Sequence, residues 1–582
     1  MSGFSQKGSL RVLSISGDKE KGVYCQKRLE MAFFFGFAAL IIFLIWRCFF
    51  GFANVDECFY LTIPYRICQG DKLLLHEWHM SQLSGLLLVP LMKVFISFSD
   101  GTDGIVIAFR LFYIAVWGLA SLFFYFRLRH FSFYGSVIAS LCFLLYAPYG
   151  IMALSYYSMG LLLYLCSCIL IAFSESKIEL SVAGFMFAGA VLCCPYLALL
   201  WFVLFFIGIV DRLLFHKVPN KYWHYPSIGV AGAFILFCIL MIINAPISEY
   251  LKTLPFVLDD PEHPMVSWLT KVQFLIYDAR QINPYWLPLI LFSLAVTLQT
   301  KLCKTSWLGF SLTCTAITTL LLSYRWIYHL NNLSMFPLSL LGLFCVACSK
   351  EAIIKKLFYT VWLPGFLFSF FYSFSSNQPF FSFSSGSTVM TIASVLMGIS
   401  FINLQVINRD IGKTQRLVMI LTFAITTMVQ IFCEFSDRYQ NVFWDEAGIT
   451  NQTVLAEEGP EKSIWMNQDV YDFYLTTQRD LQSIRDDTTT NNVLFLSRNT
   501  WLYLSAEKMN ASYSAWLSGV NDHTMLRLEE YYQLFPEKIP DVVFFDRDYI
   551  KYVPAFEAQG YLLSDEKTSD YAYIMRRKSA LK

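Results

Sequence analysis

The chain has 582 residues, of which 56% are hydrophobic, 18% aromatic and 15% charged, and its mean hydropathy is +0.50. That composition excludes an ordinary soluble domain and makes a lipid bilayer the solvent for most of the chain. A formal net charge of +1 argues for neither a nucleic-acid nor an acidic partner, so the positions of the charges carry the information.

Residues 1–30 are polar and basic, which marks a cytoplasmic N-terminal segment. The apolar run that follows is too long for a cleaved signal and reads as a retained first span. A spanning helix needs about 20 mostly apolar residues, because an unpaired backbone group in hydrocarbon is costly. Stretches near 31–52, 104–126, 133–150, 151–173, 225–245, 284–300, 305–323, 328–347, 357–374, 385–405 and 415–433 meet that need. The run 180–214 would be roughly 50 Å long as one helix, so it is divided at Pro195, giving about 13 transmembrane helices. The fifteen cysteines lie almost entirely in these apolar segments and none follows Cys433, so neither a disulfide framework nor a metal knuckle is implied.

The segment 83–98 is apolar but short, and it carries Pro90 and Lys93. If it does not cross, Lys19, Lys21, Lys27, Arg28, Arg127, Arg129, Lys177, Lys217, Lys221, Lys301, Lys304, Lys350, Lys355, Lys356, Arg409, Lys413 and Arg416 all fall on the cytoplasmic side; if it crosses, the loop clusters after it flip outward. It is therefore read as an interfacial helix. Residues 53–103 then form a first outer loop and 246–283 a second. The tail from Glu434 is also outside, and its strand-like pieces at 491–497, 541–547 and 571–577 predict a small α/β domain.

The first outer loop holds the densest set of polar groups. Asn54 followed by Glu57 fits a capping box and Gly70 a helix stop, so 55–69 reads as a short helix kinked at Pro64. Cys58 and Cys68 would lie about 15 Å apart on it, too far to bridge, and read as free thiols. Carboxylates favour a helix N-terminus with or without chemistry, and capping claims Glu57 before Asp56. The company of Arg66, His76, Trp78, His79 and Gln82 beside the pair favours chemistry.

From the first span through the DE-x-x-Y helix, Q-G-D, E-W-H-x-S-Q, the interfacial helix and the Arg110-bearing second span, the sequence resembles the GT-C glycosyltransferases. That group includes the protein O-mannosyltransferases and the bacterial aminoarabinose transferase. The resemblance covers about 31–245 and the second outer loop. It implies a polytopic GT-C fold with a catalytic transmembrane module at 31–245, variable helices at 284–433 and an extracytoplasmic α/β domain at 434–582. It implies inverting transfer of a sugar from a polyprenyl-phosphate carrier to a glycan, lipid or protein acceptor at the cell membrane. The family's general base falls on Asp56, with Glu57 beside it, because a sugar hydroxyl attacks well only when a carboxylate takes its proton. A leaving lipid phosphate also calls for cations or strong donors.

His79 stands where the family has an HPP or KPP element, although the prolines are missing; His79 and Gln82 become phosphate contacts or, alternatively, interfacial belt residues. Arg66 joins the substrate-binding set. Arg110 is a further phosphate ligand or a snorkelling arginine. Arg325 and His329, with Asn331 and Asn332, lie at the outer mouth of two later spans, where buried polar groups are functional or paired. Tyr156 and Tyr157 open the fourth span where some relatives carry an acid, so a second carboxylate would come from Asp71, Glu77, Asp259, Asp260 or Glu262. The acids of LDDPEHP lack strict ligand spacing and read as a solvated turn; no cofactor is named, and dependence on a divalent metal stays open. In the tail, Trp501, Tyr503, Trp516, Tyr531 and Tyr532 divide between core packing and sugar stacking, and Asn451 and Asn510 match the glycosylation pattern. A lipid-linked-saccharide transporter or flippase would show paired halves and midplane charges, which are not seen. A membrane scaffold would leave the crowded first loop unexplained.

Overall fold

The computed structural model describes residues 19–578, except 53–55, 211–212, 214–218, 220, 260–266, 283–285, 304, 325–333, 377–381, 384–385, 408–410, 441, 443–447, 518, 565–568 and 570. Helices α1 (Lys19–Arg47), α2 (Asp56–Cys68), α3 (Gly85–Phe98), α4 (Ile105–Leu128), α5 (Phe133–Leu145), α6 (Tyr156–Phe173), α7 (Lys177–Cys193), α8 (Leu197–Val210) and α9 (Lys221–Asn244) come first. They are followed by α10 (Ile247–Leu258), α11 (Trp268–Ile282), α12 (Trp286–Cys303), α13 (Ser306–Tyr324) and α14 (Phe336–Cys348). Three long helices, α15 (Ala352–Ser375), α16 (Ser387–Ile407) and α17 (Lys413–Gln440), complete the bundle. A helix occupies each of the thirteen stretches expected to span. Among the described residues nine helices are long and apolar enough to cross a membrane, and four more are apolar but shorter. The chain is thus a multi-pass membrane protein.

Local signals set the boundaries. Ser132 caps α5 by accepting from the Gly135 N–H, and Ser155 with Ser158 forms a capping box at the start of α6. The break between α7 and α8 falls at Pro195, whose ring and missing N–H cannot continue a helix. Helices α7 and α9 meet through small residues. A Cβ on Gly184 would lie 1.9 Å from the Pro226 carbonyl oxygen, and one on Gly229 equally close to that of Ser181. Such backbone approach is how apolar helices gain contact where lipid removes the hydrophobic drive between them.

Segment 83–98 forms the turn Met80–Ser84 and helix α3. Gly85 packs on Ile63 and Pro64 of α2, Leu88 and Met92 point inward, and Phe98 is 89% exposed. Met80–Phe98 is one of the nine helices long enough to cross, so the argument for its interfacial place rests on charge bias. The second outer loop contains α10 and α11. The polar tail begins later than the composition break suggests, because α17 runs through Glu434 to Gln440. Glu434 is buried there, and its Oε1 accepts from Gln430 Nε2, one turn earlier on the same helix, at 2.9 Å.

The tail contains a short antiparallel pair, β1 (Val454–Leu455) with β2 (Trp465–Met466). Its main sheet has five strands in the order β4 (Met509–Asn510), β3 (Asn492–Leu496), β5 (Val542–Asp546), β7 (Ala572–Arg577), β6 (Tyr561–Leu563). Strand β3 runs parallel to β4 and β5, with Val493 opposite Val542, and β7 is antiparallel to both its neighbours. All three predicted strand segments are strands, and the buried Val, Leu and Phe residues of β3 and β5, with Ala572, Ile574 and Met575 of β7, make the domain core. This domain sits on the first loop. Trp465 N–H donates to Phe49 O at 2.7 Å, Gly51 N–H to Trp465 O at 2.8 Å, and Trp78 N–H to Tyr513 O at 2.7 Å.

Candidate active site in the first loop

Helix α2 begins at Asp56 and its residues from Glu57 to Arg66 are buried. Gly70, with φ +107, ends the turn that follows it. Asn54 lies outside the described residues. The two acids at the helix start have different fates. Glu57 receives a fork from Arg110 of α4, Nε to Oε1 and Nη2 to Oε2, both 2.6 Å. The same guanidinium donates to Cys48 O at 2.6 Å and Gly51 O at 2.8 Å. A bidentate buried pair of this kind fixes two elements rigidly, and removing either partner strands a charge. Glu57 and Arg110, expected as a catalytic acid and a phosphate ligand, are thus partners of each other.

Two arginines that sequence reasoning missed extend this staple. Arg47 Nε donates to Arg438 O and its Nη1 to Phe50 O, both at 2.8 Å, while Arg438 Nη1 donates to Gly150 O at 3.1 Å. Arg47, Glu57 and Arg110 line a small cavity with Gly150, Ile151 and Met152. The carbonyls served lie at helix ends and turns, which leave acceptors unpaired. The signal was present in sequence: Arg47 and Arg438 stand at span ends on the side that positive-inside bias leaves poor in cations.

Arg66 is the hub of a second network. It donates to Asp71 Oδ2 and Glu77 Oε2 at 2.7 Å each, to His76 O at 2.7 Å and to Ser512 O of the C-terminal domain at 3.0 Å. Lys538 pairs with the other oxygen of Asp71, and Ala515 N–H donates to Glu77 Oε2 at 3.0 Å. Burial pulls the Asp71 pKa upward, but Arg66, His76 and Lys538 override it and hold the carboxyl well below the usual carboxylate range. Arg66, Asp71 and Glu77 are committed to joining loop and tail.

The ring of His79 packs edge-on to Phe59 at 4.8 Å, and its Nδ1 lies 2.7 Å from the Ser81 hydroxyl. Gln82 is fully buried; its Oε1 accepts from Leu74 N–H at 2.7 Å, while its Nε2 has no partner among the described residues. Trp78 stacks on Phe256 of the second outer loop at 4.6 Å and on Tyr513 at 5.5 Å, with the Arg527 guanidinium over Trp78 and Tyr513. Arg325, His329, Asn331, Asn332, Asp260 and Glu262 lie outside the described residues. Asp259 is exposed and 3.6 Å from Arg527. Among the described residues no group of His, Cys, Asp and Glu side chains could hold a metal ion.

Asp56 stands apart. Among the described residues its carboxylate has no ion-pair or hydrogen-bond partner, and burial alone pushes its pKa up to about 6. Its surroundings are aromatic: Tyr60, Tyr156 and Tyr157 are its electrostatic neighbours. Beneath α2 lies Glu461 of the β1–β2 turn, another residue that sequence reasoning missed. It is fully buried, accepts from the Cys58 thiol at 3.4 Å and is pushed by burial up to about 8. No sequence signal marks it, because its contact with α2 bridges two distant parts of the chain. In the tail, Trp501 and Tyr531 are core residues, and Asn510 is buried with its Oδ1 accepting from Ser512 N–H at 2.6 Å. All cysteines among the described residues are free thiols.

No family model matches this sequence, and no curated protein does. Among solved structures, the chain is similar to the crystal structure of ArnT from Cupriavidus metallidurans bound to undecaprenyl phosphate, with 11% identity and a TM-score of 0.46. The likeness covers 93% of this chain and 97% of that one.

Proposed function

We propose that this chain is an inverting glycosyltransferase of the GT-C type, which moves a sugar from a polyprenyl-phosphate carrier to an extracytoplasmic acceptor with Asp56 as general base. The observation that carries the reading is the division of labour in the first loop. Glu57, Asp71 and Glu77 are each held by an arginine, whereas Asp56, at the start of α2, is uncommitted. A carboxylate with a pKa of about 6 is mostly ionised at neutral pH and still basic enough to take a proton as the acceptor hydroxyl attacks the anomeric carbon. In the proposed step the acceptor oxygen bonds to that carbon, the carbon–phosphate oxygen bond breaks, the proton passes to Asp56, and single displacement inverts the centre. Phosphate contact would come from the unpaired Gln82 amide, from His79, and from Arg325 and His329.

In the same reading residues 1–30 are cytoplasmic, 31–245 form the catalytic module, 246–283 cap it, 284–433 form the variable helices and the tail from 434 lies outside the membrane. The test is sugar transfer from polyprenyl-phosphate donors by the purified full chain in detergent. The wild type should form a glycoside of inverted configuration and Asp56→Asn should not. Full activity in Asp56→Asn removes the base assignment, and no transfer from any donor removes the enzyme reading.

A further inference from the structure

An aromatic wall lies beside the Asp56 carboxylate, and the fold builds it from four separate parts of the chain. Phe59 and Tyr60 follow Asp56 on α2. Trp516 of the C-terminal domain packs edge-on to Phe59 at 5.1 Å, and Tyr156 of α6 packs edge-on to Tyr60 at 5.7 Å. Tyr157 continues the wall to Tyr149 at 4.6 Å and to Tyr372 of α15 at 5.3 Å. The wall joins a small cluster around Phe59 and Tyr60 to the main core, which holds Tyr372, and its Tyr149, Tyr156, Tyr157 and Trp516 are only partly buried. Tyr149 reaches its place with φ +57, a left-handed backbone that non-glycine residues rarely adopt and that gathers at ligand sites. Its hydroxyl lies 3.1 Å from both the Tyr372 and Ser382 hydroxyls.

We infer that this wall is the acceptor subsite and that it takes a neutral pyranose ring, so that the acceptor is a carbohydrate; the inference rests on the glycosyltransferase reading above. An aromatic ring carries negative charge on its face, and the polarised C–H bonds on one side of a pyranose complement it. The phenol and indole edges can hydrogen-bond ring hydroxyls. No member of the wall is cationic, which disfavours an anionic occupant, and the phenolic hydroxyls make it a poor bed for a purely hydrocarbon chain. Its position supplies the remaining argument. Tyr60, Tyr156 and Tyr157 are electrostatic neighbours of Asp56, so a ring stacked here offers its hydroxyl to the proposed base.

The experiment is saturation-transfer NMR on the full chain in detergent, with methyl glycosides and neutral di- to tetrasaccharides as probes, using the wild type and Asp56→Asn. Both proteins should bind, with saturation strongest on one face of the ring. Tyr157→Ala and Trp516→Ala should each weaken binding roughly 3- to 10-fold, and Tyr157→Phe, which keeps the ring, should restore most of it. Absence of saccharide signals, unchanged binding in both alanine variants, or binding confined to polyprenyl phosphate would overturn the inference. Binding without transfer from any donor leaves the wall standing and the enzyme reading fallen. Transfer without binding of neutral saccharides does the reverse.

Discussion

The junction between the first loop and the C-terminal domain and the mouth around Asp56 use the same residue types in opposite ways. At the junction two buried carboxylates of the first loop meet cations: Asp71 lies between Arg66 and Lys538, and Glu77 is also held by Arg66. At the mouth Arg110 takes Glu57, and the adjacent acid is left with tyrosines. Cations hold Asp71 ionised far into acid, where it serves as a fixed anchor. Burial without a cation raises Asp56 to about 6, where it can exchange protons near neutral pH. The difference teaches that the number of acids in a loop says little about its chemistry, whereas the one left unpaired says a great deal.

The largest expected effect breaks the comparison at its functional side. Asp56→Asn should cost at least about 100-fold in kcat, the usual scale of a lost general base, with the thermal unfolding midpoint no lower than that of the wild type, because the variant has no buried charge to desolvate. Glu57→Gln should instead lower that midpoint, since it unpairs a buried Arg110. If Glu57→Gln abolishes transfer in a protein as stable as the wild type, the two acids have been assigned in the wrong order. Next in size is Arg66→Leu, which strands Glu77 and leaves Asp71 to Lys538. Breaking a buried pair costs about 3–5 kcal/mol, read as a lower denaturation midpoint and as faster proteolysis of the C-terminal domain. An unchanged midpoint would mean that the junction contributes nothing to stability.

Much of this arrangement was legible in the sequence. Apolar run length located every helix of the bundle, Pro195 located a break, and short apolar runs in a polar tail located β3, β5 and β7. The acidic pair stood out because it begins a short helix in a loop crowded with polar groups. What could not be read was partnership. Arg66, expected at the substrate, is the anchor of the tail because Ser512 comes to it, and Lys538 to its partner Asp71, from more than 400 residues away. Arg110 faces Glu57 because α2 turns back along α4, a tertiary fact with no trace in local spacing. Helix α17 runs past the composition break at Glu434 to Gln440, because one buried acid ends the composition window before it ends the helix.

A pH profile sharpens the contrast further. With its pKa raised to about 6, Asp56 is active when ionised, so kcat/KM should fall about tenfold per pH unit below 6 and level off above 7. Stability should respond with the opposite sign. Burial favours the neutral form of the folded carboxyl, so its contribution is present in acid and is lost as pH rises through about 6. Asp71 acts conversely, because its folded pKa is depressed; its contribution is present above the unfolded value near 4 and is lost as pH falls below it. A rate profile without a break near 6 would detach Asp56 from the proton transfer.

The smallest effect concerns Glu461, the buried acid under α2. It meets no cation, and burial raises its pKa to about 8, so at pH 7 it is already a neutral carboxylic acid beside the Cys58 thiol. Glu461→Gln replaces one neutral group by another of nearly the same shape, but only the glutamate ionises on unfolding at pH 7, so the variant should be the more stable of the two there and its advantage should grow until about pH 8. The wild type loses the contribution of the neutral acid as pH rises through about 8, because ionisation would place an unpaired charge near Glu57, while the glutamine variant has no proton to lose and should keep its stability. Urea midpoints of the two proteins at pH 7 and pH 9 decide the matter. Parallel curves at both pH values would mean that Glu461 is ionised throughout and has found a cation, which would move it from the unpaired class to the anchored one.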